Sequence, residues 1–166
     1  MTLVDFIRAV LLGELRRMVY EARLHYLAFG TIAVGIEFLG ACDDDEPFNK
    51  SGLSTPRFGL GIDRMAKVDA RYADYNKKDS PYNLYKHLRC GTAHIMRPAG
   101  PIAHSERAHD DGGPVQHLEV VNGKLLLVSE DFYDHFAQCC ETLISELPAA
   151  RAPKLRDPYL WVGELK

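Results

Sequence analysis

Residues 24–42, LHYLAFGTIAVGIEFLGAC, decide the fold class of this 166-residue chain. The run is apolar on nearly every side and just short of the roughly 20 residues that a bilayer-spanning helix needs. His25 and Glu37 interrupt it, and a carboxylate inside a membrane costs about a few kcal/mol. A helix that is apolar all round also suits the centre of a helical bundle, and the charge-rich amphipathic stretch before it reads as its packing partner. A core helix is therefore predicted rather than a membrane span, with Gly30, Gly35 and Gly40 permitting close approach or kinks.

Upstream, Thr2 with Asp5 three residues on reads as a helix start. Leu3, Phe6, Ile7, Val10, Leu11, Leu15, Met18 and Val19 then recur at helical spacing. Glu14, Arg17 and Glu21 fall on the opposite, solvated face, spaced for weak ion pairs. Downstream, Asp43 to Gly61 is acidic at first and rich in Gly, Pro, Ser and Asn, so a loop or lid is predicted. Ile62, Met65, Val68, Asp69, Tyr72 and Tyr75 mark a third helix with tyrosines at the core edge. Ser80-Pro81 predicts the start of a fourth, because Pro is tolerated in the first turn, and Pro98 limits its length.

Pro98 to Pro114 reads as a loop. Asn122-Gly123 between Gln116–Val121 and Lys124–Val128 predicts a β-hairpin, since both turn residues accept positive φ. Ser129 is expected to cap a last helix buried through Phe132, Phe136, Cys139, Cys140, Leu143, Ile144 and Leu147, with Pro148 ending it. Residues 148–166 form a tail, with Tyr159 and Trp161 expected to pin it. The fold class is mainly α: one domain over residues 1–166, an antiparallel helical bundle with a small β-hairpin before the last long helix.

A hydrophobic content of 46% suffices for a core, and a formal charge of −3 argues against nucleic-acid binding through bulk positive charge. A local basic site stays open. The four cysteines, Cys42, Cys90, Cys139 and Cys140, lack CxxC spacing, and no secretory signal is visible at the start, so reduced thiols and a cytoplasmic location are expected. No Gly-rich phosphate loop follows a strand. His104, His109, His117, Asp110 and Asp111 match no regular ligand spacing, so neither metal nor cofactor is expected.

The chemistry concentrates in Arg89-Cys90-Gly91-Thr92-Ala93-His94, which places a strong cation and a titratable imidazole on one helix. Residues five apart in an ideal helix differ by about 500° and about 7.5 Å of rise, so the two do not share a face. To meet one phosphate, the helix must distort near Gly91, Arg89 must swing down, or a second subunit must supply facing groups. A structural reading stands beside this one: Arg89 pairs with a buried acid such as Glu37, which needs a partner in any case, and His94 bonds a backbone carbonyl.

With the bundle predicted around it, Arg-x4-His resembles the motif of the HEPN superfamily, small helical proteins whose active members carry Arg, four to six residues, then His. The resemblance covers residues 1–147 in architecture and residues 89–94 in motif. Members that cleave RNA usually place Asn, Asp or His after the Arg, where this chain has Cys90. The resemblance implies a homodimer in which both motifs line one cleft, with RNA as substrate and no metal or cofactor. It implies that His94 acts as general base on the ribose 2′-hydroxyl and that Arg89 stabilises charge on the attacked phosphate, leaving a 2′,3′-cyclic phosphate. His87, Thr92 and Arg97 are the expected substrate contacts. The alternative is a non-catalytic interaction or regulatory module, with an antitoxin-like or regulatory protein as partner.

Overall fold

The computed structural model describes residues 1–107, 116–147 and 153–155. The chain is mainly helical with one small three-stranded sheet. Helix α1 covers residues 3–20, opening with the capping box in which Thr2 Oγ1 accepts from Asp5 N (3.1 Å) and Asp5 accepts from Thr2 N (3.0 Å). Its buried residues Leu3, Ile7, Leu11, Leu15 and Val19 recur every fourth position. In a regular α-helix that period drifts by about 40° per step. The stretch Ile7–Glu14 offsets the drift by widening into π-helical turns, closed by Leu15 N donating to Val10 O. The solvated face pairs Arg16 with Glu21 at 3.7 Å.

Helix α2 (His25–Asp43) is the central element, touching α1, the later helices and the sheet. By length and composition it is apolar enough to cross a membrane, and 56% of that window is buried inside the protein. It is not buried all round: Tyr26, Leu27 and Val34 form an exposed stripe.

Helix α3 (Ser54–Val68) begins well inside the segment predicted as a loop. Pro56 lies in the first turn, where its missing N–H needs no acceptor. Gly61, which made the stretch look loop-like, faces α2 so closely that a Cβ there would sit 2.0 Å from Ile36 O; one on Gly40 would sit 1.7 Å from Arg57 O. The acidic turn after α2 is tied down: buried Arg57 donates to Asp44 Oδ2 (2.5 Å), Pro47 O (2.8 Å) and Phe48 O (2.8 Å), and Lys154 donates to Ala41 O (2.6 Å).

The predicted third helix breaks at Asp69, which adopts an extended conformation and accepts from Arg71 N at 3.0 Å. A short α4 (Tyr72–Asn76) follows, with Tyr72 fully buried and Tyr75 at the core edge. Helix α5 covers residues 85–95, and its cap is Asn83 rather than Ser80. Asn83 Oδ1 accepts from Lys86 N (2.8 Å), and its amide donates to Lys77 O (3.0 Å). Asn83→Ala is expected to cost about 1–2 kcal/mol, read as a lowered urea midpoint at constant m-value.

The sheet has order β1-β3-β2. Strand β1 (Ile102–Ser105) lies in the segment predicted as loop and pairs in parallel with β3 (Lys124–Val128), Ile102 opposite Leu125. Strand β2 (Val120–Val121) completes the predicted hairpin through Asn122 (φ 50°) and Gly123 (φ 74°). Helix α6 (Ser129–Glu146) buries Phe132, Phe136, Cys139, Cys140 and Leu143, with Ile144 and Leu147 packed at the edge. Ser129 is not its side-chain cap: the hydroxyl turns to His25 and Glu130. All four cysteines are free thiols. Tyr159 and Trp161 lie outside the described residues.

Candidate functional site

Helix α5 enters with wide turns over Tyr85–Arg89, Cys90 N donating to Tyr85 O, and continues as regular helix over Cys90–Ile95. It ends where Met96 turns left-handed (φ 55°), and Tyr26 Oη donates to the Met96 carbonyl. The helix runs unbroken through Gly91. A Cβ at Gly91 would lie 2.7 Å from both Arg97 O and Ala99 N, so the glycine admits the returning chain.

Arg89 reaches inward to α2: its Nε donates to Glu37 Oε2 at 2.7 Å, with the two side chains 22% and 18% exposed. Its guanidinium also lies 6.0 Å from the Tyr85 ring centroid. This is the arginine–acid pair that a carboxylate in an apolar helix requires. His94, by contrast, is exposed and makes no hydrogen bond among the described residues, so the backbone-carbonyl contact of the structural reading is absent. Arg89 and His94 therefore diverge on one chain, as their helical spacing implies.

The other expected contacts divide. Thr92 lines the same groove as Arg89, and its hydroxyl is buried without a partner among the described residues. His87 is half-buried with Nδ1 unpartnered, against the returning chain where Ala99 N donates to His87 O (2.7 Å). Burial, then the charge of Lys86, lowers its pKa. Arg97 is exposed. The groove has a volume of about 510 Å³ and is walled by Met18, Tyr26, Leu27, Val34 and Met96. Val34 and Met96 are 59% and 61% exposed, a large apolar area for a free surface. Glu37 balances Arg89, so the groove carries no strong net charge.

Of the histidines weighed as a metal group, the described His104 and His117 have different partners. His104 stacks on Phe29 with ring centroids 3.8 Å apart, both its nitrogens buried and unpartnered, and burial lowers its pKa to about 4. His117 belongs to a different network. Val128 N donates to its Nδ1 (3.0 Å), so Nε2–H donates to Tyr72 Oη (2.7 Å), which leaves the Tyr72 hydroxyl free to donate to His135 Nδ1 (3.2 Å). Burial lowers the His117 pKa to about 3, in keeping with a neutral ring. His109, Asp110 and Asp111 lie outside the described residues.

One constellation escaped the sequence. His25 at the start of α2, Glu106 after β1, and Ser129 with Glu130 at the start of α6 converge, and His25 and Glu106 line a cavity of about 240 Å³. Only the polar residues at two helix starts hint at it, and the tertiary fold brings them together. No family model matches this chain, and neither a curated protein nor a solved structure matches it.

Proposed function

We propose that this chain is a HEPN-like, self-associating helical protein that acts on RNA where the Arg89/His94 edges of two copies meet. The observation that carries this reading is the exposed His94, whose ring has no hydrogen bond among the described residues, on the helix whose Arg89 and Thr92 line an apolar groove. A ring free of internal partners among the described residues is available to take a substrate proton. Arg89, held at Nε by Glu37, keeps its terminal nitrogens for a phosphate oxygen. A second copy laid over Val34, Leu27 and Met96 brings two such edges together and removes the apolar area from water. This reading places the protein in the cytoplasm, without a metal or cofactor in the chemistry, and leaves room for an antitoxin-like regulator.

A second reading rests on the Arg89–Glu37 ion pair. In it the same face joins copies or partners without cleaving anything, and Arg89 locks α5 to α2. Both readings need the groove to be covered. Val34→Glu puts a charge on that face at a side chain with little role in the core. Light scattering should report twice the 18.7 kDa chain mass for the wild type and a shift toward single chains for the variant, with RNA cleavage falling in step. A wild type that stays a single chain at all concentrations contradicts the proposal.

A further inference from the structure

The three segments that meet at His25 hold their hydrogens in an order that leaves one position unfilled. Ser129 is fully buried, and its hydroxyl has a single hydrogen, which it donates to Glu130 Oε2 at 2.8 Å. His25 Nδ1 lies 2.6 Å from that hydroxyl oxygen and must therefore be the donor of their bond. A neutral ring with its hydrogen on Nδ1 presents a bare lone pair at Nε2. That lone pair faces Glu106 Oε2 at 2.7 Å, itself an acceptor. Two acceptors at this separation need a cation between them, either a second ring proton or a metal ion.

Ligand type and geometry favour the metal. Ligand atoms of His25, Glu106 and Glu130 all lie within 4.8 Å of one another. His25 Nε2 is buried and makes no hydrogen bond among the described residues although Glu106 Oε2 lies 2.7 Å away, so the contact does not have the geometry of a ring N–H donating to that oxygen. Arg23, itself largely exposed, also pairs with Glu106 Oε2 at 2.9 Å from the solvent side. Metal-bound histidines donate their other ring hydrogen to an orienting group, and here Ser129 takes that place and passes the contact on to Glu130. Glu130 is further fixed by Arg107 N at 3.1 Å.

We infer that His25, Glu106 and Glu130 form a binding site for one divalent transition-metal ion of the zinc type, oriented by Ser129. Bonds of about 2.0–2.1 Å in a tetrahedral arrangement place ligand atoms roughly 3.3 Å apart. Reaching that from 2.7 Å asks only a small rotation of Glu106, whose side chain is one-third exposed and gives the ion its way in. The adjoining cavity, walled by Phe29, His104 and Ser105, leaves the fourth position to water or a small ligand. The ion would tie the first turns of α2 and α6 to the end of β1, and its presence does not depend on whether the chain cleaves RNA.

Untagged protein, freed of metal with a chelator, should take up Zn²⁺ at one equivalent per chain in a calorimetric titration, and its melting temperature should rise with added Zn²⁺. Co²⁺ in its place should give the visible absorption of a four- or five-coordinate ion. Glu106→Gln and His25→Gln should weaken binding at least tenfold, and Ser129→Ala about 10–100-fold. Cys90→Ser should bind as the wild type does. Absence of stoichiometric binding by the wild type overturns the site. Binding that persists undiminished in Glu106→Gln overturns it as well.

Discussion

Gly40→Ala is expected to lower the melting temperature by about 6–12 °C, the equivalent of about 3 kcal/mol in a chain of this size. The added methyl would sit 1.7 Å from Arg57 O and 2.6 Å from its carbonyl carbon, and both are backbone atoms of α3. A side chain in that place would rotate away. A helix backbone has to move as a body, and this one carries Phe58, Ile62 and Met65, all buried in the shared core. The move would also disturb Arg57, whose guanidinium holds the turn after α2 through Asp44, Pro47 and Phe48.

Gly59→Ala, on the same helix, is the internal control. A Cβ there meets the Asn76 amide at ordinary distances, Oδ1 at 3.5 Å and Nδ2 at 3.7 Å, so the higher helix propensity of alanine should leave the protein unchanged or stabilised by up to about 1 kcal/mol. Calorimetry on the two variants separates close helix approach from a general dislike of substitution. Equal and small shifts in both would mean that α2 and α3 are not packed backbone to backbone.

Gly40 and Gly61 also explain why part of the fold was legible in the sequence and part was not. Local signals carried through: the Thr2–Asp5 box starts α1, the apolar run becomes the central helix, and Asn122-Gly123 makes its turn. Gly59 and Gly61 were read as loop residues because a glycine that admits a neighbouring helix has the same letter as one that bends a chain. Strand β1 was missed because its pairing with β3 is parallel and non-local, and a four-residue strand shows no alternation of its own. Asn83 displaced Ser80 as the cap because its amide also satisfies Lys77 O, a turn contact invisible before folding.

The candidate site divides the same way. A carboxylate at position 37 in an apolar helix must find a cation, and Arg89 is that cation. The His25–Ser129–Glu130 contacts join residues about a hundred positions apart, so no local pattern announces them. The outward set of His94 follows from helical rotation alone, yet its lack of any internal bond required the fold to be seen.

That lack makes His94 the most direct test of the central claim. His94→Ala should reduce cleavage of a labelled single-stranded RNA by about 100- to 10,000-fold, the usual contribution of a positioned general base. Its stability should stay within about 0.5 kcal/mol of the wild type, as for other exposed positions without partners. The decisive measurement is this cleavage assay on wild type and His94→Ala, with the product ends identified. The wild type should leave 2′,3′-cyclic phosphate ends and the variant nearly none; equal cleavage by both proteins, or no cleavage by a dimeric wild type, would refute a general base at His94.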